Sequence, residues 1–368
     1  MRTTWCMMIL ACSVACGCLH AGDSSGAETS GDRSWADRLE YVGVAVEEED
    51  FHVWGASPVI GPEGKTHLFV SRWPIARGFG AWTTHCEIAR YVSESPEGPF
   101  EFREVIAKAK GTGTDAWDRQ SPHNPNVQMV GDRYALAYIA NAGGTQSARA
   151  ASQRIGLMVA GHPAGPWTKV GEDGLLLSPP EDPQVWSHGS TVGVNNPALF
   201  AHPDGRFFLY YKAMRKGDVR RMGLAIADKL EGPYVFEKEP LTSNETTIED
   251  GYAFQDGGNI CLLTTHNDAG TGYLWRSDDG IRFGDPIVGF DTMRSYIDAE
   301  QLDSAKVVRG KKFERPQVLL KDGKPAYLYL ASGVNWNGGR GSCSCVFKIN
   351  GGTGTVTRST MENSKPEE

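Results

Sequence analysis

The feature that most restricts the fold of this chain is an internal repeat with five copies between residues 57 and 330. Each copy begins with a two-residue step that contains proline or glycine, continues to a turn glycine, and reaches a strand rich in aromatic and aliphatic residues. The steps are Ser57-Pro58, Asn124-Pro125, Asn196-Pro197, Asp250-Gly251 and Arg315-Pro316, and the turn glycines are Gly64, Gly131, Gly205, Gly257 and Gly323. A repeat of this size predicts an array of similar β-units.

A second motif recurs in phase with the first. Gly98-Pro99-Phe100, Gly165-Pro166-Trp167 and Gly232-Pro233-Tyr234 place their aromatic residues 67 positions apart in both intervals, each after a strand-like run. One unit therefore holds about four short strands, the content of a propeller blade. Five units predict an all-β fold, a five-bladed β-propeller with a funnel-shaped central site, in which these three aromatic residues pack between blades. The alternative, a β-sandwich with accidental turn similarity, does not explain two motifs in phase.

The composition is that of an ordinary soluble globular protein, with 40% hydrophobic and 22% charged residues. A formal net charge of −8 and the absence of a basic run argue against nucleic acid as the main partner. We predict one propeller domain over residues 37–360, because no linker composition interrupts it, and a disordered tail over 361–368. Nothing in the sequence implies a protein partner.

The N-terminal segment has the pattern of an export signal. A positively charged start precedes an apolar stretch too short to span a bilayer, so residues 1–21 are predicted to be a signal peptide. Ile9–Cys12 resembles a bacterial lipobox, with competing sites at Cys16 and Cys18, and lipidation would anchor the protein to a bacterial membrane. Residues 22–36 are polar and predict a flexible tether. We expect an exported periplasmic or cell-surface lipoprotein or, alternatively, a secreted protein with an ordinary cleaved signal.

Cysteine and glycine patterns indicate no cofactor. Beyond the signal lie Cys86, Cys261, Cys343 and Cys345, which we interpret as buried thiols. No Cys/His spacing matches a zinc site, and neither a phosphate-binding loop nor a nucleophile elbow occurs. We therefore predict no metal and no cofactor; a central cation is compatible with such a channel, but no ligand set indicates one.

The repeated steps are the natural candidates for a functional site. In a propeller the first strand of each blade lines the central channel, so side chains at the steps converge although they are far apart in sequence. The polar and aromatic candidates are His52, Trp54 and Ser57 in the first copy, Asp118, His123, Asn124 and Asn126 in the second, Asn195 and Asn196 in the third, Glu249 and Asp250 in the fourth, and Glu314 and Arg315 in the fifth. Part of such a polar ring is a structural requirement of the inner strands.

Three carboxylates on adjacent blades are the main candidates for catalysis. Burial and mutual repulsion among Glu249, Asp250 and Glu314 are expected to raise the pKa of one and leave another ionised. A protonated acid beside a carboxylate is what cleavage of a glycosidic bond requires. Arg315 next to Glu314 equally fits a structural ion pair.

Aromatic residues near the same mouth suit sugar recognition, because the apolar face of a sugar stacks on an aromatic ring while its hydroxyls bind polar side chains. The candidates are Trp54, Trp73, Trp82, Trp117, Trp186, Tyr252 and Trp336. Many propeller aromatics pack between blades instead.

These patterns resemble the five-bladed propeller glycoside hydrolases, family 43 and its relatives, over essentially the whole exported chain. The run from Glu249 to Gly258 is similar to the Glu-Gly-Pro-Tyr-x-Phe-x-x-x-Gly run that carries that family's general acid. The run from Asn196 to Leu209 is similar to its Asp-Pro-x-Val-Phe blade start. The chain departs from the family where the base Asp falls on Ser57 and the pKa-modulating Asp falls on Asn126 or Asn124.

We therefore expect an exported glycoside hydrolase that acts on a plant or algal polysaccharide or its oligosaccharides. The resemblance implies Glu249 as general acid, with Glu314 or Asp118 as base and Asp250 tuning the pair. Sugar binding is assigned to His52, Trp54, Ser57, His123, Asn124, Asn126, Asn196, Tyr252, Arg315 and Trp336. The carboxyl separation cannot be read from the sequence, so the stereochemical outcome is open, and the resemblance favours inversion.

Two other functions stay open at this point. A non-catalytic glycan-binding propeller is favoured by the loss of acidic residues at the positions just named. A glycoside phosphorylase needs one catalytic carboxylate and bound phosphate, for which Lys212, Arg215, His266 and Arg315 would supply the cations.

Overall fold

Five antiparallel sheets correspond to the five copies of the repeat. The computed structural model describes residues 34–111, 113–297, 312–333 and 341–351. The first blade contains β2 (Phe51–Ile60), β3 (Thr66–Pro74), β4 (Glu87–Ser93) and β5 (Glu101–Ala107); the second contains β6 (Gln120–Val130), β7 (Arg133–Asn141), β8 (Arg154–Ala160), β9 (Thr168–Lys169) and β10 (Leu175–Leu177). The third contains β11 (Asn195–Ala201), β12 (Phe207–Ala213), β13 (Arg221–Ala227) and β14 (Val235–Phe236); the fourth contains β15 (Ile248–Asp256), β16 (Asn259–His266), β17 (Thr271–Ser277) and β18 (Ile287–Phe290).

The fifth blade combines the two ends of the described chain. It contains β19 (Glu314–Lys321), β20 (Lys324–Ser332), β21 (Cys343–Ile349) and, at its outer edge, β1 (Leu39–Val46). Leu39 lies opposite Ile349 in this pairing. Just before β1, Trp35 is fully buried and its ring centroid lies 5.5 Å from that of Phe254. The packed domain therefore begins two residues before the predicted boundary at residue 37, and Trp35 is not part of a flexible tether.

The five blades close into a ring. The first strands β2, β6, β11, β15 and β19 contact one another in turn, and β19 contacts β2. A separate cluster of buried apolar residues fills each of the five spaces between neighbouring blades. The predicted five-bladed β-propeller is confirmed. The predicted packing role of the Gly-Pro-aromatic motif is also confirmed, since the Trp167 ring lies 5.3 Å from Phe69 and Phe100 lies 6.3 Å from Tyr329.

Short helical segments interrupt the turns on the first two blades. The 3-10 turns Ile75–Arg77 and Phe79–Ala81 and helix α1 (Trp82–His85) connect β3 to β4, and helix α2 (Gln146–Ala151) connects β7 to β8. Within the described residues no helix has the length and hydropathy needed to cross a membrane. The four thiols beyond the signal are buried and unpaired, as predicted. The signal (1–21), the tether up to residue 33, the tail (361–368) and Trp336 lie outside the described residues.

All five first strands carry the same bulge at the repeated step. At each bulge one residue has a left-handed backbone, with φ between 49° and 62°. These residues are Gly55, Asn124, Asn196, Asp250 and Arg315. Across each bulge the first strand advances by three residues while the second strand advances by two. In the first blade, for example, Trp54 lies opposite Ser71 and Ser57 lies opposite Phe69. The first step is therefore Gly55-Ala56, and the prediction of Ser57-Pro58 was wrong by two positions.

Candidate active site

A cavity of about 600 Å³ is lined by residues from all five blades. The residue immediately before each left-handed position faces this cavity, because the shared bulge turns the same side chain of each first strand in the same direction. The five lining residues are Trp54, His123, Asn195, Glu249 and Glu314. The site is thus built by the repeat itself, with one position from each blade.

The three predicted carboxylates converge in this cavity. Glu249, Asp250 and Glu314 each offer one oxygen, and these oxygens lie within 4.8 Å of one another. Such a cluster also offers the oxygen ligands that Ca²⁺ prefers. Arginine and lysine side chains already neutralise Glu249 and Asp250, however, so the surroundings suit acid/base chemistry better than a divalent cation.

Glu249 is held in its ionised form by three partners. Lys212 Nζ donates to its Oε2 at 2.5 Å, Arg220 Nη1 donates to its Oε1 at 2.9 Å, and Asn267 Nδ2 donates to the same Oε1. Burial opposes the charged form, but the positive charges of Lys212 and Arg220 outweigh it and hold the pKa of Glu249 below its usual value. Glu249 is therefore a carboxylate at neutral pH.

The carboxyl group of Glu314 is in the opposite protonation state from that of Glu249. No described residue donates a hydrogen bond to the Glu314 carboxyl group, which faces the cavity from β19. Burial, together with the negative charges of Glu249 and Asp250, raises its pKa from 4.5 to about 8. Glu314 therefore carries a proton at pH 7, beside a carboxylate that does not.

Four of the left-handed residues form one network beneath the carboxylates. Asn124 Nδ2 donates to Asn196 Oδ1 at 3.1 Å, and Asn196 Nδ2 donates to Asp250 Oδ1 at 2.5 Å. Arg315 Nη1 donates to Asp250 Oδ1 at 3.3 Å, and its Nη2 donates to the Asn124 carbonyl at 2.9 Å. Arg315 therefore links the fifth blade to the second and fourth across the centre of the ring.

Gly55, the remaining left-handed residue, explains how the Arg315 side chain fits beneath the carboxylates. A Cβ atom at Gly55 would lie 2.7 Å from Arg315 Cγ, so only glycine leaves room for this side chain. Arg315 has no exposed surface and does not line the cavity, which corrects its assignment as a sugar-binding residue. It supports Asp250 from below instead.

Aromatic side chains form the wall of the cavity on the first blade. The lining residues are Trp54, Trp73, Phe79 and Trp82. His52 does not line the cavity but packs behind this wall, with its ring centroid 5.2 Å from that of Trp73 and 5.3 Å from that of Phe79. His123 does line it, and burial lowers its pKa to about 4, so its imidazole is neutral.

Several predicted site residues serve the packing of the blades. Ser57 Oγ accepts a hydrogen bond from Val127 N at 2.9 Å, Asn126 Oδ1 accepts one from Leu199 N at 2.9 Å, and Tyr252 OH donates to the Val318 carbonyl at 2.7 Å. Each bond crosses to the next blade from the equivalent position of the repeat. Ser57, Asn126 and Tyr252 do not line the cavity, so their assignment to sugar binding is corrected.

Asp118 also lies outside the cavity. It borders a smaller pocket, where Lys110 Nζ lies 2.6 Å from its Oδ1 and Lys169 pairs with its Oδ2. The two lysines hold its pKa below its usual value despite burial. Asp118 is therefore removed as a candidate base. Trp117 and Trp186 likewise stack on Tyr138 and Tyr211 between blades rather than at the mouth.

Among the cations that line the cavity around Glu249, the sequence indicated only Lys212, as a phosphate ligand in the phosphorylase alternative, and neither Arg220 nor Lys312. Lys212, Arg220 and Lys312 line the cavity together with Asn267. One signal was available for Lys212, because a lone lysine interrupts the otherwise apolar strand β12, opposite Asn195 on β11. The others lie in connections between strands, where sequence alone does not predict position.

Fold and site together define a five-bladed β-propeller with a carboxylate cluster at its centre. The structure is similar to Zg3597, a family 117 glycoside hydrolase of the marine bacterium Zobellia galactanivorans, with a TM-score of 0.62 and 19% identity over 84% of this chain and 89% of that chain. It is also similar to a family 43 (GH43_1) enzyme of Xanthomonas citri, with a TM-score of 0.55 and 14% identity over 84% of this chain and 91% of that chain. At these identities the likeness shows the fold.

Sequence comparison adds one curated relative. Xylosidase/arabinosidase 43A of Humicola insolens is 27% identical over 96 residues, which cover 25% of this chain and 26% of that protein. The match thus spans about a quarter of the relative's length. No protein-family model matches the chain.

Proposed function

We propose that the protein is a glycoside hydrolase that cleaves a glycosidic bond with Glu314 as general acid and Glu249 as the ionised carboxylate. The observation that carries this proposal is the opposite protonation of two carboxyl groups in one cavity, with the pKa of Glu314 raised to about 8 and that of Glu249 lowered. Their roles differ from the sequence-based expectation, in which Glu249 was the acid.

The geometry supports a two-step reaction. Glu314 donates its proton to the glycosidic oxygen while Glu249 attacks the anomeric carbon, so the leaving group departs as an alcohol and a glycosyl ester forms. Glu314, now a carboxylate, takes a proton from water, and that water displaces Glu249 from the sugar. Lys212 and Arg220 stabilise Glu249 whenever it is ionised, before attack and after release.

The substrate is proposed to be an oligosaccharide or polysaccharide of plant or algal origin. The aromatic wall offers ring faces for stacking, and Asn124, Asn196 and His123 offer polar groups on the cavity surface. A structure similar in fold, the family 43 enzyme of Xanthomonas citri, has been solved with xylotriose. We further propose export as a lipoprotein on the strength of the N-terminal pattern described above.

A product screen tests the proposed function. The protein is incubated with a panel of plant and algal glycans, and released sugars are detected by reducing-end assay and mass spectrometry, with and without inorganic phosphate. Release of free sugar without phosphate is expected. Binding without any release would show a glycan-binding propeller instead, and release of sugar phosphates that requires phosphate would show a phosphorylase.

The carboxyl separation predicts the stereochemistry of the product. Inverting enzymes keep their carboxyl groups about 6.5–9.5 Å apart to hold a water between them, and retaining enzymes about 5–5.5 Å. One oxygen of Glu249 lies within 4.8 Å of one oxygen of Glu314, which is closer to the retaining range than to the inverting one, so we expect the first product to retain its anomeric configuration. Proton NMR at early reaction times, before mutarotation, measures this. An inverted first product would show that water, rather than Glu249, attacks the sugar.

A further inference from the structure

We propose that Lys312 and Arg220 form a subsite for an anionic substituent, a carboxylate or a sulfate ester, on the sugar that binds in the cavity. The inference rests on the proposed function, since it names the substrate class of the same site. It stands on two cationic groups that line the cavity and have hydrogen-bond donors for which no described residue is an acceptor.

No carboxylate among the described residues forms an ion pair with Lys312. Its Nζ donates one hydrogen bond, to the Asn267 carbonyl at 2.8 Å, and within the described parts of the chain it forms no ion pair. An ammonium group has three N–H donors, so two remain available to a ligand. A lysine that served only to hold the Asn267 loop would not need to line the cavity.

Only one of the guanidinium nitrogens of Arg220 has an acceptor among the described residues. Its Nη1 contacts Glu249 Oε1, and no described residue accepts a hydrogen bond from its Nε or Nη2. The side chain is 32% exposed, which leaves those donors accessible from the cavity. A planar guanidinium with free N–H groups is suited to bind the oxygens of a carboxylate or a sulfate.

The two cations are linked through Asn267. Asn267 connects them, because its side chain donates to the Glu249 oxygen that Arg220 also contacts, while its backbone carbonyl binds Lys312. The aromatic wall belongs to the first blade, whereas this cationic wall comes from the third, fourth and fifth. A sugar in the cavity would therefore have both an aromatic wall and these two cations within the same lining.

Among the described residues, the positive charges at the site outnumber the negative ones. Lys212, Arg220 and Lys312 line the cavity and Arg315 lies beneath it, whereas only Glu249 and Asp250 are counted as ionised when Glu314 carries its proton. In the described part of the chain, four cationic side chains thus face two ionised carboxylates, although the whole chain has a formal net charge of −8. An enclosed positive surplus in an acidic protein favours an anionic ligand.

Binding of matched sugars tests the subsite independently of turnover. Affinities of galactose, galacturonate, galactose 6-sulfate and inorganic phosphate are measured by ligand-observed NMR titration on the full chain, on Lys312→Met and on the exposed control Lys229→Met. We expect at least one acidic sugar to bind on the order of tenfold more tightly than galactose, because a charge-assisted hydrogen bond is added. Lys312→Met should lose this preference, and Lys229→Met and Lys312→Arg should keep it.

The outcomes separate the two proposals. Equal affinity for neutral and acidic sugars, no detectable binding of either acidic sugar, or an unchanged preference in a folded Lys312→Met protein would overturn the subsite. Tight binding of phosphate alone, lost in Lys312→Met, would also overturn it and identify a free-phosphate site. A preference for acidic sugars without any hydrolysis would leave the subsite standing and refute the hydrolase, and hydrolysis without the preference would do the reverse.

Discussion

Glu314→Gln is expected to lower kcat/KM for glycoside cleavage by about 10²- to 10⁴-fold, the range that a positioned general acid contributes. Glutamine keeps the size and polarity of the side chain but has no proton to give to the leaving oxygen. For the native protein, kcat/KM should decline as pH rises through the Glu314 pKa of about 8, because the acid form disappears. Initial rates on the best substrate of the glycan panel, measured from pH 5 to pH 10, test both statements.

The surface variant Glu231→Gln is the matched control, since Glu231 pairs with Arg133 away from the cavity. It should leave both rate and pH profile unchanged.

The stability of the protein should also depend on the protonation of Glu314. The folded pKa of Glu314 lies above its ordinary value of 4.5, so its contribution to stability is present below pH 4.5 and is lost as pH rises through about 8. The free energy of unfolding of Glu314→Gln should lack this decline; full activity of this variant would refute the assignment of the acid.

Arg315→Met is expected to destabilise the fold by about 3–5 kcal/mol, the range found when one partner of a buried ion pair is removed. The change leaves Asp250, which is buried at the wall of the cavity, without the cation beneath it and removes the bond to the Asn124 carbonyl. Urea unfolding at pH 7, followed by tryptophan fluorescence, measures the loss. Arg282→Met is the control, because its side chain is 90% exposed and its pairing with Asp279 should contribute about 0.5 kcal/mol or less.

A double-mutant cycle separates the ion pair from simple packing. If Arg315 acts through Asp250, then Arg315→Met combined with Asp250→Asn should cost less than the sum of the two single changes. Additive costs, or a single Arg315→Met variant as stable as the native protein, would contradict the role assigned to this side chain.

The sequence predicts the architecture well because the repeat consists of residues with strong preferences for turns or strands. A turn glycine occurs once per blade and a Gly-Pro-aromatic motif occurs in three of the blades, and the common phase of the two motifs indicates four-stranded units. The first step is misplaced because Gly55-Ala56 lacks the Asx-Pro signature, whereas Ser57-Pro58 imitates it two residues later. The left-handed backbone that defines the step becomes visible only when strand pairing is known.

The site is predictable only where it depends on the first strands. Glu249, Asp250 and Glu314 occupy the same repeat position or its neighbour, so their convergence follows from the fold. Which of these carboxyl groups has the lowered pKa does not follow from the fold. The pKa of Glu249 is lowered by Lys212, which lies on a second strand, and by Arg220, which lies in a connection between strands. Asp118 was wrongly predicted to belong to the site. It lies just before the first strand of its blade rather than on it, and it faces a different pocket.

The pairing of β1 with β21 affects how this protein must be made. The strand that leaves the ribosome early, Leu39–Val46, has its partner in Cys343–Ile349, near the end of the described chain. The entropic cost of closing so long a loop rises only slowly with its length, but the contact is non-local and forms late. Until synthesis is complete, unpaired edges of the fifth blade remain exposed to pairing with other chains. A chain that stops before β21 would therefore have a fifth blade of β19 and β20 alone, with an open edge at β20 and β1 left without its partner, and we expect it to aggregate more readily than the full chain.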